Sequence, residues 1–259
     1  MSFLRESAAI IMAAGKGTRM KDPAKAKVMN EILGKPMIHY VVDLALKLHM
    51  QRVIVIVGHQ KETVAAYLRD SHPFVECVVQ EQQLGTGHAV MQARGVLNDF
   101  AGHIIVLSGD VPLLTKESIN ALIACHLESK AKATILTADL PDPSGYGRII
   151  RAEDGSVKRI VEQRDAAPEE INVCEINSGI YVFEKENLFK GLELIKADNV
   201  QQEYYLTDIF EHFVEQRWKV SGFKVNHIDE IRGINTYEQL EEARTLMETQ
   251  RERGALNER

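Results

Sequence analysis

The sequence predicts an α/β protein, a Rossmann-like, mostly parallel sheet flanked by helices, and three observations predict it. Through the first half of the chain, strand-length runs rich in Val and Ile alternate with segments whose apolar residues recur at helical spacing. The 259 residues suffice for one large core, and no Ser/Gly-rich linker or internal repeat divides them. After Thr134 the rhythm changes to short strands around an Asp154–Gly155 turn signal, which implies antiparallel additions covering the first half.

Taken in order, residues 8–14, 52–57, 75–79 and 103–107 read as strands, and residues 36–50, 60–68, 87–97 and 116–128 as helices. Met37, Tyr40, Val41, Leu44 and Leu48 recur at three- and four-residue steps, so they read as core, and Pro36 suits a first helical turn. Thr115 is well placed to cap the helix that follows it. Residues 147–151 and 157–163 form a hairpin, and residues 176–183 another strand. The organisation expected is one main domain over residues 1–236 and a charged helical tail over 237–259. Leu240, Ala243 and Leu246 form one stripe of that tail, docked along an edge, with fraying from residue 251.

Composition narrows the function. With 31 basic residues against 37 acidic ones, a net charge of -6 and a pI near 5.9, the chain is not a phosphate-coating nucleic-acid binder. Any anionic ligand must meet a local patch. Cys77, Cys125 and Cys174 are too far apart for a zinc knuckle or a CxxC pair and read as thiols of a reducing compartment. The apolar stretch before Gly15 is far shorter than the roughly 20 residues of a membrane span. No basic region and cleavage site accompany it, so the expectation is a cytoplasmic protein with no membrane partner.

Three segments carry chemistry. Ala13-Ala14-Gly15-Lys16-Gly17-Thr18-Arg19-Met20 follows the first strand, and its glycines let backbone N–H groups approach a phosphate chain. It is neither a Walker A loop nor a dinucleotide fingerprint, which needs a third glycine where Met20 stands. Lys16, Arg19, Lys21, Lys25 and Lys27 face the single acid Asp22 in this region, a local surplus able to hold a triphosphate; the plainer reading is a turn decorated with solvated lysines. Its position after strand one favours ligand binding, because parallel sheets bind ligands beyond the carboxyl ends of their strands.

Ser108-Gly109-Asp110-Val111-Pro112 also follows a strand, so Asp110 points toward the same crevice, where a carboxylate oxygen suits Mg²⁺. In Gln80-Glu81-Gln82-Gln83-Leu84-Gly85-Thr86-Gly87-His88-Ala89, glutamine and backbone groups can pair with the edge of a base; alternatively Thr86 merely caps the next helix. His88 reads as a packed histidine, and none of the nine histidines forms HxH or HExxH.

The ordered motifs AAGKGTRM, QEQQLGTGHA, SGDVPLL, GYGRI, IVEQRDA, EINSGIY, QEYYLTDI and GINTYEQL resemble the nucleotidyltransferase domain of bacterial bifunctional N-acetylglucosamine-1-phosphate uridyltransferase/glucosamine-1-phosphate acetyltransferases. The glycine loop is shared by nucleoside-diphosphate-sugar pyrophosphorylases generally, while LGTGHA with EIN and EYYLTD resembles the N-acetylglucosamine branch. The resemblance implies a nucleotide-diphospho-sugar transferase fold with antiparallel sugar-binding additions. It implies nucleotide contacts at Ala13, Ala14 and Gly15, catalytic phosphate cations at Arg19 and Lys27, and a uracil segment at Gln80, Gln83, Gly85 and Thr86. It further implies sugar contacts at Gly147, Glu162 and Asn177 and Mg²⁺ ligands at Asp110 and Asn235.

Two positions depart from that pattern. The run Lys25-Ala26-Lys27 lacks a proline usual before the lysine, and Ser108 replaces a tyrosine. The implied substrates are UTP and N-acetylglucosamine-1-phosphate, with a pyrophosphorylase for another sugar phosphate or base, or a non-catalytic nucleotide-sugar binding module, as the alternatives. No hexapeptide period of the kind that builds an acetyltransferase β-helix appears, so uridyl transfer without acetyl transfer is expected, and the oligomeric state is left open.

Overall fold

A computed structural model describes residues 6–17, 20 and 25–257, the last five of them by backbone alone. Strand β1 (Ser7–Ala13) is buried on both faces, which is why it reads as an unbroken apolar run. The chain then passes a short 3₁₀ turn at Lys27–Met29 and a small antiparallel pair, β2 (Glu31–Ile32) and β3 (Lys35–Pro36), into α1 (Met37–Lys47). Pro36 is not in the first helical turn: its ψ of 149° is extended, and it ends β3 at the cap position. The alternation continues with β4 (Arg52–Val57), α2 (Lys61–Ser71), β5 (Glu76–Val79), α3 (Thr86–Met91) and β6 (His103–Ser108). The segment expected as one helix over 87–97 is α3 followed by a 3₁₀ stretch, Gln92–Leu97.

The second half supplies α4 (Lys116–Ser129), β7 (Ala133–Asp139), β8 (Arg148–Arg151), β9 (Val157–Val161) and α5 (Pro168–Ile171). These are followed by β10 (Glu175–Glu184), α6 (Lys185–Leu192), α7 (Ile209–Glu215), β11 (Val220–Lys224) and α8 (Tyr237–Asn257). Thr115 caps α4 as expected, its hydroxyl accepting from the Ser118 N–H at 3.2 Å. The β8–β9 hairpin closes through residues 152–156, with Gly155 at a φ of 80°, as the turn signal predicted.

The large sheet runs β11-β7-β10-β6-β1-β4-β5, with β8 attached to β10 and β9 to β8. Pairs β1–β4, β1–β6, β4–β5 and β7–β11 are parallel. Strand β10 is antiparallel to both β6 and β7, so the antiparallel material does not merely cover the first half: one of its strands stands inside the sheet. The strand read over residues 176–183 gave no sign of that role, because pairing partners are not written in a strand's own pattern.

Two apolar layers sandwich the sheet. On one face Ala9, Ile11 and Ala13 of β1 pack with Val41 of α1, Val64 of α2 and Ile119 of α4. On the other, Ala8 and Ile10 pack with Val90 of α3, Leu188 of α6 and Phe210 of α7. A third cluster of Met20, Ile32, Met37, Leu113, Ile234 and Leu240 carries α8, with Ala243 and Leu246 on its stripe as expected. The helix therefore seats over the β2–β3 pair rather than along an edge of the large sheet, and its backbone is helical to Asn257. Among the described residues no helix is long and apolar enough to cross a membrane.

Candidate active site

The carboxyl ends of β1, β5 and β6 open onto one rim of the sheet, and the loops leaving them wall a cleft. After β1 the chain turns through Gly15, Lys16 and Gly17. Gly17 has a φ of 61°, and a Cβ there would lie 2.5 Å from Cβ of Lys27, so both backbone and neighbour require glycine. That close approach presses the loop against Lys27.

The Lys27 ammonium donates to the Asp110 carboxylate and, at 2.7 Å, to Asn235 Oδ1. Asp110 is held because the Gly109 N–H donates to the Met12 carbonyl at 2.9 Å and the Ile234 N–H to the Asp110 carbonyl at 2.9 Å. Asn235 is turned by its own N–H, which donates to Gln239 Oε1 at 2.7 Å in the first turn of α8. A carboxylate and an amide oxygen thus converge on one cation, and hard oxygens so arranged are the donor set of a divalent-cation site. Lys27, Asp110 and Asn235 come together from three distant parts of the sequence.

The segment after β5 is folded on itself. Gln80 is buried, and its Nε2 donates to the Gly85 carbonyl at 3.1 Å and stands 3.0 Å from His88 Nδ1. Gln83 Nε2 donates to the Gln80 carbonyl at 3.0 Å. Gly85 has a φ of 108°, and a Cβ there would lie 2.6 Å from the Tyr204 carbonyl oxygen. Gly85, not Thr86, holds the cap position of α3; the Thr86 hydroxyl instead accepts from the Leu206 N–H at 3.0 Å, strapping the segment to residues 204–206. His88 sits between the Gln80 and Gln92 amides, a packed histidine as expected.

A second lobe lies toward β8–β10. A register shift in β10 between Asn177 and Tyr181 bends the strand, and the Asn177 side chain donates to the Tyr181 hydroxyl at 2.8 Å. The Asn177 N–H donates to the Gly147 carbonyl at 2.9 Å, which joins two of the expected sugar positions directly. Glu162, the third, accepts from the Thr207 hydroxyl at 3.0 Å. Burial pushes the Glu162 carboxyl above its usual range against the pull of that hydroxyl, with the charges of Asp165 and Glu203 adding to the rise. Behind it, burial and then the Glu162 charge push Asp208 up to about 6.

The lobe beside β1, about 470 Å³, is lined by Ala13, Ala14, Gly15, Gln83, Gly85 and Lys27 among others. The lobe beside β10, about 310 Å³, is lined by Gly147, Glu162 and Asn177. Met12, Thr86, Ser108, Asp110 and Asn235 line both, so the lobes form one cleft with the Lys27 cluster at the junction. Every expected site residue lies on this cleft except Arg19, which falls outside the described residues. Sequence reasoning missed Glu203, Tyr181 and Thr207 as lining residues. Their motifs are visible, but no local spacing distinguishes these side chains from ordinary core and surface.

A protein-family model described as nucleotidyl transferase matches residues 8–251. The chain belongs to the nucleotidyl transferase family. Among curated proteins it is 44% identical over 253 residues to the Bifunctional protein GlmU of Lactobacillus delbrueckii subsp. bulgaricus, covering 98% of this chain and 54% of that relative. It is 46% identical over 239 residues to the Bifunctional protein GlmU of Exiguobacterium sibiricum, covering 92% and 52%. The chain therefore spans about half the length of the curated relatives it matches. A crystal structure of UDP-glucose pyrophosphorylase complexed with UDP-glucose superposes with a TM-score of 0.74 over 94% of this chain and 99% of that one. Their 20% identity makes this a shared fold.

Proposed function

We propose that this nucleotidyltransferase transfers a uridylyl group from UTP to N-acetylglucosamine-1-phosphate, giving UDP-N-acetylglucosamine and pyrophosphate. The observation that carries the reading is the two-lobed cleft with Lys27, Asp110 and Asn235 at its junction, between a glycine loop suited to phosphates and a polar lobe suited to a sugar. The 44% and 46% identities to bifunctional relatives support the same choice of substrates. The activity would reside in residues 1–236, with the helical tail bracing Asn235.

A phosphate oxygen of the sugar phosphate forms the new bond to the α-phosphorus as the bond to the β-phosphate oxygen breaks, and its electron pair leaves with pyrophosphate. That oxygen is already an anion near neutral pH, so no protein nucleophile or strong base is needed. The amides of residues 14–17 face the triphosphate. Lys27 releases Asp110 and Asn235 and, with Arg19, offsets charge on the phosphates, while Gln83 and the Gly85 backbone meet the uracil edge. Asn177, Glu162 and Gly147 hold the sugar. Asp110 and Asn235 would hold Mg²⁺, which when bound supplies Lewis-acid charge neutralisation. A cytoplasmic setting suits these soluble substrates.

Pyrophosphate release by the purified chain, measured across the four ribonucleoside triphosphates and a panel of sugar-1-phosphates, tests the reading. The expected result is turnover with UTP and the N-acetylated amino sugar phosphate. Equal rates with glucose-1-phosphate would overturn the sugar assignment, and binding of UDP-sugars without turnover on any pair would favour a non-catalytic module.

A further inference from the structure

On the sheet face away from α3, the side chains of His39 and Asp43 project from α1 toward His72, the residue that ends α2. None of them lines the cleft. One ligand atom from each lies within 4.8 Å of the others, with Asp43 Oδ1 3.1 Å from His72 Nε2 and Asp43 Oδ2 3.6 Å from His39 Nε2. His72 is buried, and the other two are partly exposed.

Proton counting determines what these atoms offer. An ammonium only donates, so the Lys35 Nζ at 2.8 Å makes His39 Nε2 an acceptor and leaves the ring proton on Nδ1, facing the Tyr67 hydroxyl oxygen at 2.9 Å. The Ser71 hydroxyl donates to the Tyr67 carbonyl at 2.7 Å, so its oxygen accepts from His72 Nδ1, also at 2.7 Å. With its Nδ1 proton committed to Ser71, His72 meets Asp43 Oδ1 through Nε2, where either a second proton or a metal ion can bridge the two atoms. The two Nε2 atoms and a carboxylate oxygen therefore converge, each ring aligned by an oxygen bonded to its other nitrogen. Metal-ligating histidines are aligned by their second nitrogen in the same manner.

We propose that His39, Asp43 and His72 form a transition-metal site of the Zn²⁺ class that braces α1 against the end of α2. A tetrahedral zinc with bonds near 2.0–2.1 Å separates its ligand atoms by about 3.4 Å, so a modest movement of the His39 ring closes the site. Lys35 is exposed and free to leave Nε2, and the half-open Asp43 leaves a fourth position to water. The competing occupant is a proton on His72, which would pair with Asp43 and satisfy the same lone pairs. Lys35 and Lys47 also face the group and resist added positive charge.

The test uses the full chain carrying Asp110→Asn, which weakens cation binding in the cleft, stripped of metal by chelation. Zn²⁺ is titrated by calorimetry, and Co²⁺ by its visible absorption. One saturable equivalent, intense low-coordination Co²⁺ bands and a raised Tm are expected. His39→Gln and Asp43→Asn should each weaken binding at least tenfold, and His49→Gln should leave it unchanged. Both substituted positions are partly exposed, and far-ultraviolet circular dichroism verifies folding. No saturable step in the folded protein, or one that survives both substitutions, would overturn the site and leave the His72–Asp43 pair as proton-bound only.

Discussion

Beside β1 the cleft is walled chiefly by backbone turns, whereas beside β10 it is walled by buried side chains bonded to one another. In the first lobe Gly17 and Gly85 bring main chain close to the ligand space at positive φ. In the second, Asn177 bonds to Tyr181 and Glu162 to Thr207, each pair drawing on distant segments or a bent strand. Backbone donors suit phosphates, which look alike on every nucleotide. Side-chain donors and acceptors suit sugars, which differ by single polar groups, because a mismatched analogue leaves a buried partner unpaired at about 1–3 kcal/mol.

The sharpest test lies at the junction. Asp110→Asn removes the anionic oxygen that both lobes share, and pyrophosphate release should fall by about 10²-fold or more, a typical loss of transition-state electrostatics. Near-normal rates across a Mg²⁺ series would show that the junction is not the reacting centre.

Gly17→Ala probes the backbone lobe alone. A Cβ at a φ of 61° and 2.5 Å from the Lys27 side chain must displace the loop or the lysine. Turnover should drop by about 10-fold to 10²-fold through misplacement of the phosphates, with the affinity for the sugar phosphate little changed. Steady-state kinetics in both substrates separates these effects.

In the side-chain lobe, Asn177→Ala should give the opposite split. KM for the sugar phosphate is expected to rise about tenfold while KM for UTP holds, and loss of the partner of the buried Tyr181 hydroxyl should cost about 1–3 kcal/mol of stability. Denaturant unfolding alongside the kinetics checks both parts.

The smallest effect concerns Glu162, whose carboxyl burial raises above the ordinary glutamate value of 4.5. A group raised in the folded state ionises first in the unfolded chain, so its charge destabilises the fold as pH rises through the unfolded value and on past the folded one. Glu162→Gln should therefore raise Tm at pH 7–8, with the gain fading as pH falls toward 4.5. The same variant should bind the sugar phosphate more weakly, a gain of stability at the expense of function. A Tm difference independent of pH would remove the buried charge from the account.

The backbone lobe was legible because its signals are local. Glycines directly after an apolar strand, and Asp110 directly after another, place themselves through chain connectivity alone. The side-chain lobe was legible only by resemblance: nothing near Gly147, Glu162 or Asn177 distinguishes them from neighbouring polar residues until β8, β9 and β10 pair. Tyr181, Glu203 and Thr207 escaped for the same reason.

By itself the sequence determined the β-α rhythm, the parallel first half, the Asp154–Gly155 hairpin and the Thr115 cap. Hydrophobic period, turn chemistry and capping act over a few residues and need no distant partner. Tertiary structure alone decided that β10 enters the sheet beside β6, that α8 seats over the β2–β3 pair, and that Lys27 meets Asp110 and Asn235. It also decided that His39 and Asp43 meet His72 across two helices. Those contacts join residues tens to hundreds of positions apart, and they exist only once burial of both sheet faces has overcome the entropy of closing the loops between them.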